Sequence, residues 1–305
     1  MGLDVVRCEV LKNPAAPWLL RFFGGRHVLR FHNGFEFAVD PSTRILGEKL
    51  ITLAYEGATY RSTGPDDGFT WLVNRSRGEI VTPSGLRFSL ESLHPLIFAE
   101  TFLYDIHFCG FHLGRQLVVD VGSNVGDTPL YFAQQGARVV GYEPDPDNFR
   151  MLSDNVQRNP TLAGQIQLHP EPVGEDGEVT FFSGQGGSSG VYAGKGTGRK
   201  VRSVSLKTVL ARAGAEDAYL LKADCKGAEF QLVRQSELAA FRYLQIEYTA
   251  DVVGQHPATL LAELRQRGFS RIRLYKHNYG AYPLTQHGTV FALRDDVEVD
   301  PTGSP

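Results

Sequence analysis

Four acidic side chains stand where an alternating strand–helix chain could use them: Asp120 in VVDVGSNVGD, Glu143 closing RVVGYE, Asp224 in LLKADCKGAEF and Glu247 in LQIEY. Each lies at or near the end of an apolar run. Each would therefore stand at the carboxyl edge of a strand, where open parallel sheets bind their ligands. Gly122 and Gly126 follow Asp120 in a turn that a backbone can approach closely, because no side chain intervenes. Such a turn often cradles a pyrophosphate, which a carboxylate at position 120 would repel. A donor carrying an ammonium and a sulfonium would be attracted instead. An acid at the tip of the next strand, Glu143, could accept hydrogen bonds from both hydroxyls of a ribose. The pair predicts S-adenosylmethionine as ligand. For Glu143 alone, the alternative is a carboxylate favoured by the start of the helix in PDPDNF.

Those acids need a scaffold, and from about residue 111 to 300 the pattern supplies one. LVVDV, RVVGYE, QIQLHP, YLLKADC and FRYLQIEY read as strands, with TPLYFAQQ, PDNFRMLSDNVQRN, GAEFQLVRQ and PATLLAELRQRG between or after them. Alternation of this kind gives a mostly parallel α/β sheet covered on both faces. RIRLYK and TVFALR close the chain across a link too short for a crossover helix, so an antiparallel last strand is expected. The glycine-rich segment around 184–198, flanked by strands EVTFF and VRSVSL, is either a surface connection or a lid. As a lid it would bring Lys195, Arg199 or Lys200 to an anionic substrate.

Residues 1–110 have a different texture. Short strands (HVLRFHNGFEFAV, and the hairpin EIVTPSGLRFSL bent at Pro-Ser-Gly) predict a β-rich region. Helices are expected through RILGEKLITLAYEG and LIFAETFLYDIHFCG, and a loop at STGPDDG. This region is expected to cover the pocket or to mediate homo-oligomer formation, and residues 301–305 to form a tail.

Bulk composition narrows the function classes. With 305 residues, 42% of them hydrophobic and a formal net charge of −3, the chain suits a globular enzyme and not a general nucleic-acid binder. Three cysteines without pairing or metal-ligand rhythm, no signal pattern and no membrane-length apolar run predict a cytoplasmic protein.

The run from 118 to 247 resembles the FkbM-like family of class I S-adenosylmethionine-dependent methyltransferases. The pieces VVDVGSNVGDT, YEPDPDNFRMLSDN, VRSVSLKTVL, LLKADCKGAE and LQIEY carry the resemblance in order. It implies a Rossmann-like sheet and an O-methyltransferase acting, without a metal, on a small-molecule or glycan hydroxyl. It further implies that Asp120, Gly122, Asn124 and Gly126 enclose the methionine end and Glu143 the ribose. Pro144 and Asp145 would border the adenine on one side, and Glu171, Pro172 and Val173 on the other. Tyr104 and Asp105 look like the family's aromatic–acid pair before the first strand.

Asp224 is the candidate general base, its alternative being a cap on the following helix. Glu247 is a second acid facing the same crevice, and Glu229 a structural acceptor for loop amides. Lys226 departs from the family, where an acid is usual. It could neutralise a carboxylate, bind an anionic substrate or sit solvated at the rim. Cys225 reads as a packed thiol and His277 as a loop histidine that could serve as base instead. No histidine–carboxylate spacing suggests a metal site. Asp-Cys-Lys-Gly lacks the paired prolines of base-modifying amino methyltransferases. Three rival readings remain open: a cofactor-binding module without catalysis, a methyltransferase acting on nucleic acid, which the missing prolines and the net charge disfavour, and a nicotinamide oxidoreductase, which Asp120 and the terminal strand pair disfavour.

Overall fold

The computed structural model describes residues 27–30, 36–39, 72–74, 78–82, 84–93, 95–102, 106–107, 113–183, 189–192, 197–275 and 283–298. Tyr104, Asp105, Lys195, His277, the expected helix at 44–57, the loop at 62–68 and the tail at 301–305 lie outside them. Two compact units make up the chain. One joins Met1–Phe108 with Gln157–Asn159 and His277–Ala281, and the other contains the rest.

In the first unit, β1 (His27–Arg30) pairs antiparallel with β2 (Glu36–Val39). A second sheet joins β3 (Leu72–Asn74), β4 (Glu79–Val81) and β5 (Arg87–Ser89), all antiparallel. The β4–β5 turn closes where expected. Gly85 adopts φ +89°, and its amide donates to the Thr82 carbonyl. The helix expected through 96–110 spans Pro95–Phe102, and its Phe98 and Phe102 pack on Phe88 of β5 with ring centroids 4.8 and 5.5 Å away.

The second unit is built on a sheet with seven strands among the described residues. These are β6 (Leu117–Val121), β7 (Arg138–Tyr142), β8 (Ile166–His169), β11 (Ala218–Ala223), β12 (Phe241–Thr249), β13 (Arg271–Tyr275) and β14 (His287–Leu293). Their spatial order is β13-β14-β12-β11-β6-β7-β8. The five inner-sequence strands run parallel, while β14 lies antiparallel between β12 and β13. The expected Rossmann-like sheet with an antiparallel last strand is present. Helices Asp127–Gln134, Pro146–Gln157, Leu206–Ala213 and Pro257–Gln266 connect the strands. The Leu206–Ala213 helix, capped by Ser205 and closed by Gly214 at φ +62°, carries Leu206, Val209, Leu210 and Ala213 into the core. GAEFQLVRQ forms only a short helix, Glu229–Leu232.

Pleating divides the central strands between two cores. Leu117, Val119, Val121, Leu221, Ala223, Leu244, Ile246 and Tyr248 join the larger one, while Val118, Val139 and Leu220 face Phe132 and Ala133. Asp120, Lys222, Gln245 and Glu247 alternate onto this second face, near its carboxyl end, and make it polar there. Apart from the main sheet, β9 (Gly177–Ser183) and β10 (Thr197–Ser203) form an antiparallel hairpin.

Candidate active site

The glycine turn after β6 is shaped by what presses on it. Gly122 has φ +82°, and a Cβ there would lie 2.0 Å from the Asp224 carbonyl oxygen, so only glycine fits. Its amide and that of Ser123 donate to the Tyr142 carbonyl at 2.9 and 3.0 Å. Asp120 does not face out of this turn. Its side chain is 0% exposed, with Oδ1 3.0 Å from Lys222 Nζ and Oδ2 accepting from the Thr128 hydroxyl at 2.6 Å. Lys222 Nζ also donates to the Gly122 carbonyl at 2.7 Å. Burial alone would lower the lysine's pKa, but Asp120, Asp224 and Asp127 hold it above the usual value.

A crevice of about 450 Å³, its open mouth included, lies beyond the carboxyl ends of β6, β7 and β11. Val121, Gly122 and Asp224 form one side, Glu143 and Pro144 a second, and Glu171, Pro172 and Val173 a third. Phe181 of β9 and the Ser189–Val191 segment also line it. Glu143 is buried, accepting from the Asn124 amide at 2.9 Å and the Asp145 amide at 2.8 Å. Burial pushes its carboxyl up to about 8 against the pull of these two amides. Asp145 Oδ1 accepts from the Asp147 amide in the first turn of the helix beyond, and its Oδ2 accepts from Ser189 Oγ at 3.0 Å. Arg199 of β10 donates to the Pro144 carbonyl. Glu171 is bound by Arg212 through both oxygens, which hold its pKa below the usual range.

A second polar group gathers at the same sheet edge. Lys226 occupies a left-handed conformation, φ +50°, followed by Gly227 at +104°. Its ammonium lies 2.7 Å from Asp224 Oδ1 and 3.4 Å from Glu247 Oε1. His287 Nε2 is 2.9 Å from the same Glu247 oxygen. Side-chain exposures of 28% for Lys226, 27% for Asp224 and 17% for Glu247 keep this group in reach of solvent. The turn that presents Lys226 is clamped by Glu229, fully buried, which accepts from the Cys225 and Gly227 amides at 2.7 Å each. Burial and the nearby Asp224 raise Glu229 to about 7. Burial would lower Lys226, yet Asp224 and Glu247 hold it above the ordinary lysine value. For His287 burial is likewise outweighed, by the Glu247 bond and charge, and the net shift is upward.

The family profile described as Methyltransferase FkbM domain matches residues 120–271, the span that holds the turn, the crevice and most of this polar group. The chain belongs to the FkbM methyltransferase family. Hexuronic acid methyltransferase AglP of Haloferax volcanii is 24% identical over 149 residues, which cover 48% of this chain and 61% of that protein. Magnesium protoporphyrin IX methyltransferase from Synechocystis PCC 6803, solved with bound SAM, is 15% identical with a TM-score of 0.40, covering 65% of this chain and 81% of its own. The METTL16 methyltransferase domain gives 15% identity and a TM-score of 0.43, over 88% of this chain and 86% of that one.

Within the FkbM segment, Gly122, Glu143, Pro144, Glu171, Pro172, Val173 and Asp224 all line the crevice. Asp120 lies beneath it, while Asn124 contributes its amide to Glu143 and Asp145 its side chain to Ser189. Gly126 packs on Leu152, where a Cβ would meet Cδ1 at 2.8 Å. Lys226 and Glu247 meet Asp224 at the rim. Two residues of the site escaped the sequence reading. Lys222, a lone cation in the apolar run AYLL-A, carried a visible signal. His287 carried none, because only the β12–β14 register sets it opposite Thr249, beside Glu247. Among the described residues, no group of three or more His, Cys, Asp or Glu side chains could hold a metal, and no helix is long and apolar enough to cross a membrane.

Proposed function

We propose that this chain transfers a methyl group from S-adenosylmethionine to a hydroxyl of a small molecule or glycan. The observation that carries the reading is the Gly122–Asp224 contact, which leaves a side-chain-free floor between a ribose-competent carboxylate, Glu143, and a polar rim. The lining suits a nucleoside: Pro144, Val173 and Phe181 offer apolar walls for a base, and Glu143 can accept two hydroxyls. When bound, S-adenosylmethionine supplies a methyl carbon already activated by its sulfonium. The protein's share is alignment, exclusion of water and removal of one proton. Alignment alone can be worth about 7–11 kcal/mol in the best intramolecular cases.

Asp224 is the base in this reading. Its Oδ1 is held by Lys226, and the proton of the acceptor hydroxyl goes to its other oxygen. Glu247 keeps Lys226 from neutralising Asp224 alone, since the ammonium divides between two carboxylates. The likeness to a hexuronic acid methyltransferase makes a hexuronic-acid-bearing compound the first acceptor to try. A labelled-methyl assay over a panel of neutral and uronic sugars tests the proposal, with calorimetry of S-adenosylhomocysteine binding beside it. Tight binding without transfer to any hydroxyl compound would favour the rival reading, a binding module whose base is silenced by the 2.7 Å Lys226–Asp224 pair.

A further inference from the structure

Lys222 takes no part in the proposed reaction, yet it is a charged side chain only 6% exposed, set directly across from Asp120 in the parallel β6–β11 pairing. A buried charge needs a partner, and Asp120 provides one at 3.0 Å. The same ammonium makes a second contact, its 2.7 Å bond to the Gly122 carbonyl. Gly122 is thereby held by three contacts from two neighbouring strands. Tyr142 of β7 takes its amide, Lys222 of β11 gives to its carbonyl, and the Asp224 carbonyl beyond β11 packs on its α-carbon. Asp120, in turn, ties Lys222 to Thr128 at the start of the next helix, so both ends of the turn share one anchor.

A turn built on glycine has the loosest backbone a chain can offer. Rigidity there has to come from outside the turn, and an apolar residue at 222 would supply neither the donor for the Gly122 carbonyl nor the counter-charge for Asp120. We propose that Lys222 is a positioning residue for the donor, bracing the glycine turn through Gly122, Asp120 and Thr128. Asp120 then acts on the donor only through this brace. The inference rests on the donor site of the preceding section.

The test separates affinity from stability in the full chain. Lys222→Met should lower the urea midpoint and weaken S-adenosylhomocysteine binding together. Asp120→Leu/Lys222→Met removes both charges and should recover stability, since apolar pairs often replace buried ion pairs without loss. Its binding should nonetheless stay about ten-fold weaker than wild type, the loss of one hydrogen bond from a charged donor. Affinity that returns with stability would overturn the proposal. Calorimetric stoichiometry gives the folded fraction, so Kd is read per folded molecule. Thr128→Val keeps both charges; it should weaken binding about ten-fold, the worth of a hydrogen bond to a charged acceptor. An unchanged Kd there also overturns the brace. A wild-type chain that fails to bind S-adenosylhomocysteine removes the donor reading and this one together. Binding by wild type with unaltered variants removes this one alone.

Discussion

Two lysines four residues apart meet carboxylates under opposite conditions. Lys222 and Asp120 are sealed under the glycine turn, at 6% and 0% exposure, whereas Lys226 shares Asp224 and Glu247 at a rim that water reaches. Similar chemistry gives different consequences because the surrounding dielectric differs. In the sealed pair neither charge can be solvated if the other is lost, so the pair behaves as one structural part. At the rim the side chains are partly exposed, so water can reach them and losing one partner costs less than in the sealed pair. The position of a carboxylate on the sheet edge therefore does not decide its role. The depth to which its strand carries it does.

The largest effect that could break this contrast is on catalysis. Asp224→Asn should reduce turnover by about 10²- to 10⁴-fold, the usual contribution of a general base, with little change in S-adenosylhomocysteine affinity. A variant that kept wild-type turnover would move the base elsewhere on the rim. Next comes stability. Lys222→Met should cost about 3–5 kcal/mol in urea unfolding, because it strands Asp120 in the core. Lys226→Met should cost less, about 1–3 kcal/mol, its partners being partly solvated. Equal losses in the two variants would erase the distinction between sealed and open pairs.

How much of this was readable from the sequence follows the same line of depth. The sheet was legible, because LVVDV, RVVGYE and FRYLQIEY are apolar runs whose alternation with helices leaves few topologies. The terminal pair betrayed its antiparallel course by the shortness of its link. The crevice was legible in Gly122, Glu143 and Asp224, whose positions at strand ends are set by the chain alone. The depth of Asp120 was not. Whether a carboxylate ending a strand points out or under depends on a partner from β11, and a lysine in an apolar strand reads as a stem that would reach for solvent. His287 was invisible for a related reason: its closeness to Glu247 is created by strand register and leaves no trace in local spacing. The Leu206–Ala213 helix went unread as well, although Ser205 and Gly214 mark both its ends.

Glu143 offers a sharper comparison, being buried like Asp120 but paired with amides where Asp120 has an ammonium. Its carboxyl is raised from the ordinary 4.5 to about 8, so the folded chain holds that proton more tightly than the unfolded chain does. Stability from this group is therefore present at low pH and is lost as pH climbs through about 8. Ribose hydroxyls favour the ionised form, so S-adenosylhomocysteine affinity should move the other way and strengthen with pH over the same window. Calorimetry from pH 6 to 9 reads this directly. Glu143→Gln should flatten the profile and weaken binding at high pH by about 1.5–3 kcal/mol, the worth of a bond to a charged acceptor. A flat wild-type profile would mean that Glu143 keeps one protonation state throughout.

The smallest effect concerns the far end of the rim. The Glu247 bond and charge outweigh burial and hold His287 above the usual 6.5, so it keeps its charge to a higher pH than a free imidazole. While protonated, it shares Glu247 with Lys226 as a second cation. Once neutral, it leaves more of the Glu247 charge to draw on Lys226, and the ammonium's hold on Asp224 loosens. Turnover should then rise with pH through an inflection above 6.5, as Asp224 becomes freer to take the acceptor proton. His287→Gln can keep a hydrogen bond to Glu247 but cannot change charge. It should erase the inflection while altering turnover about five-fold or less, the worth of one ordinary hydrogen bond. An inflection that survives in the glutamine variant would assign the titration to another group, and the rim would then act through Asp224 and Lys226 alone.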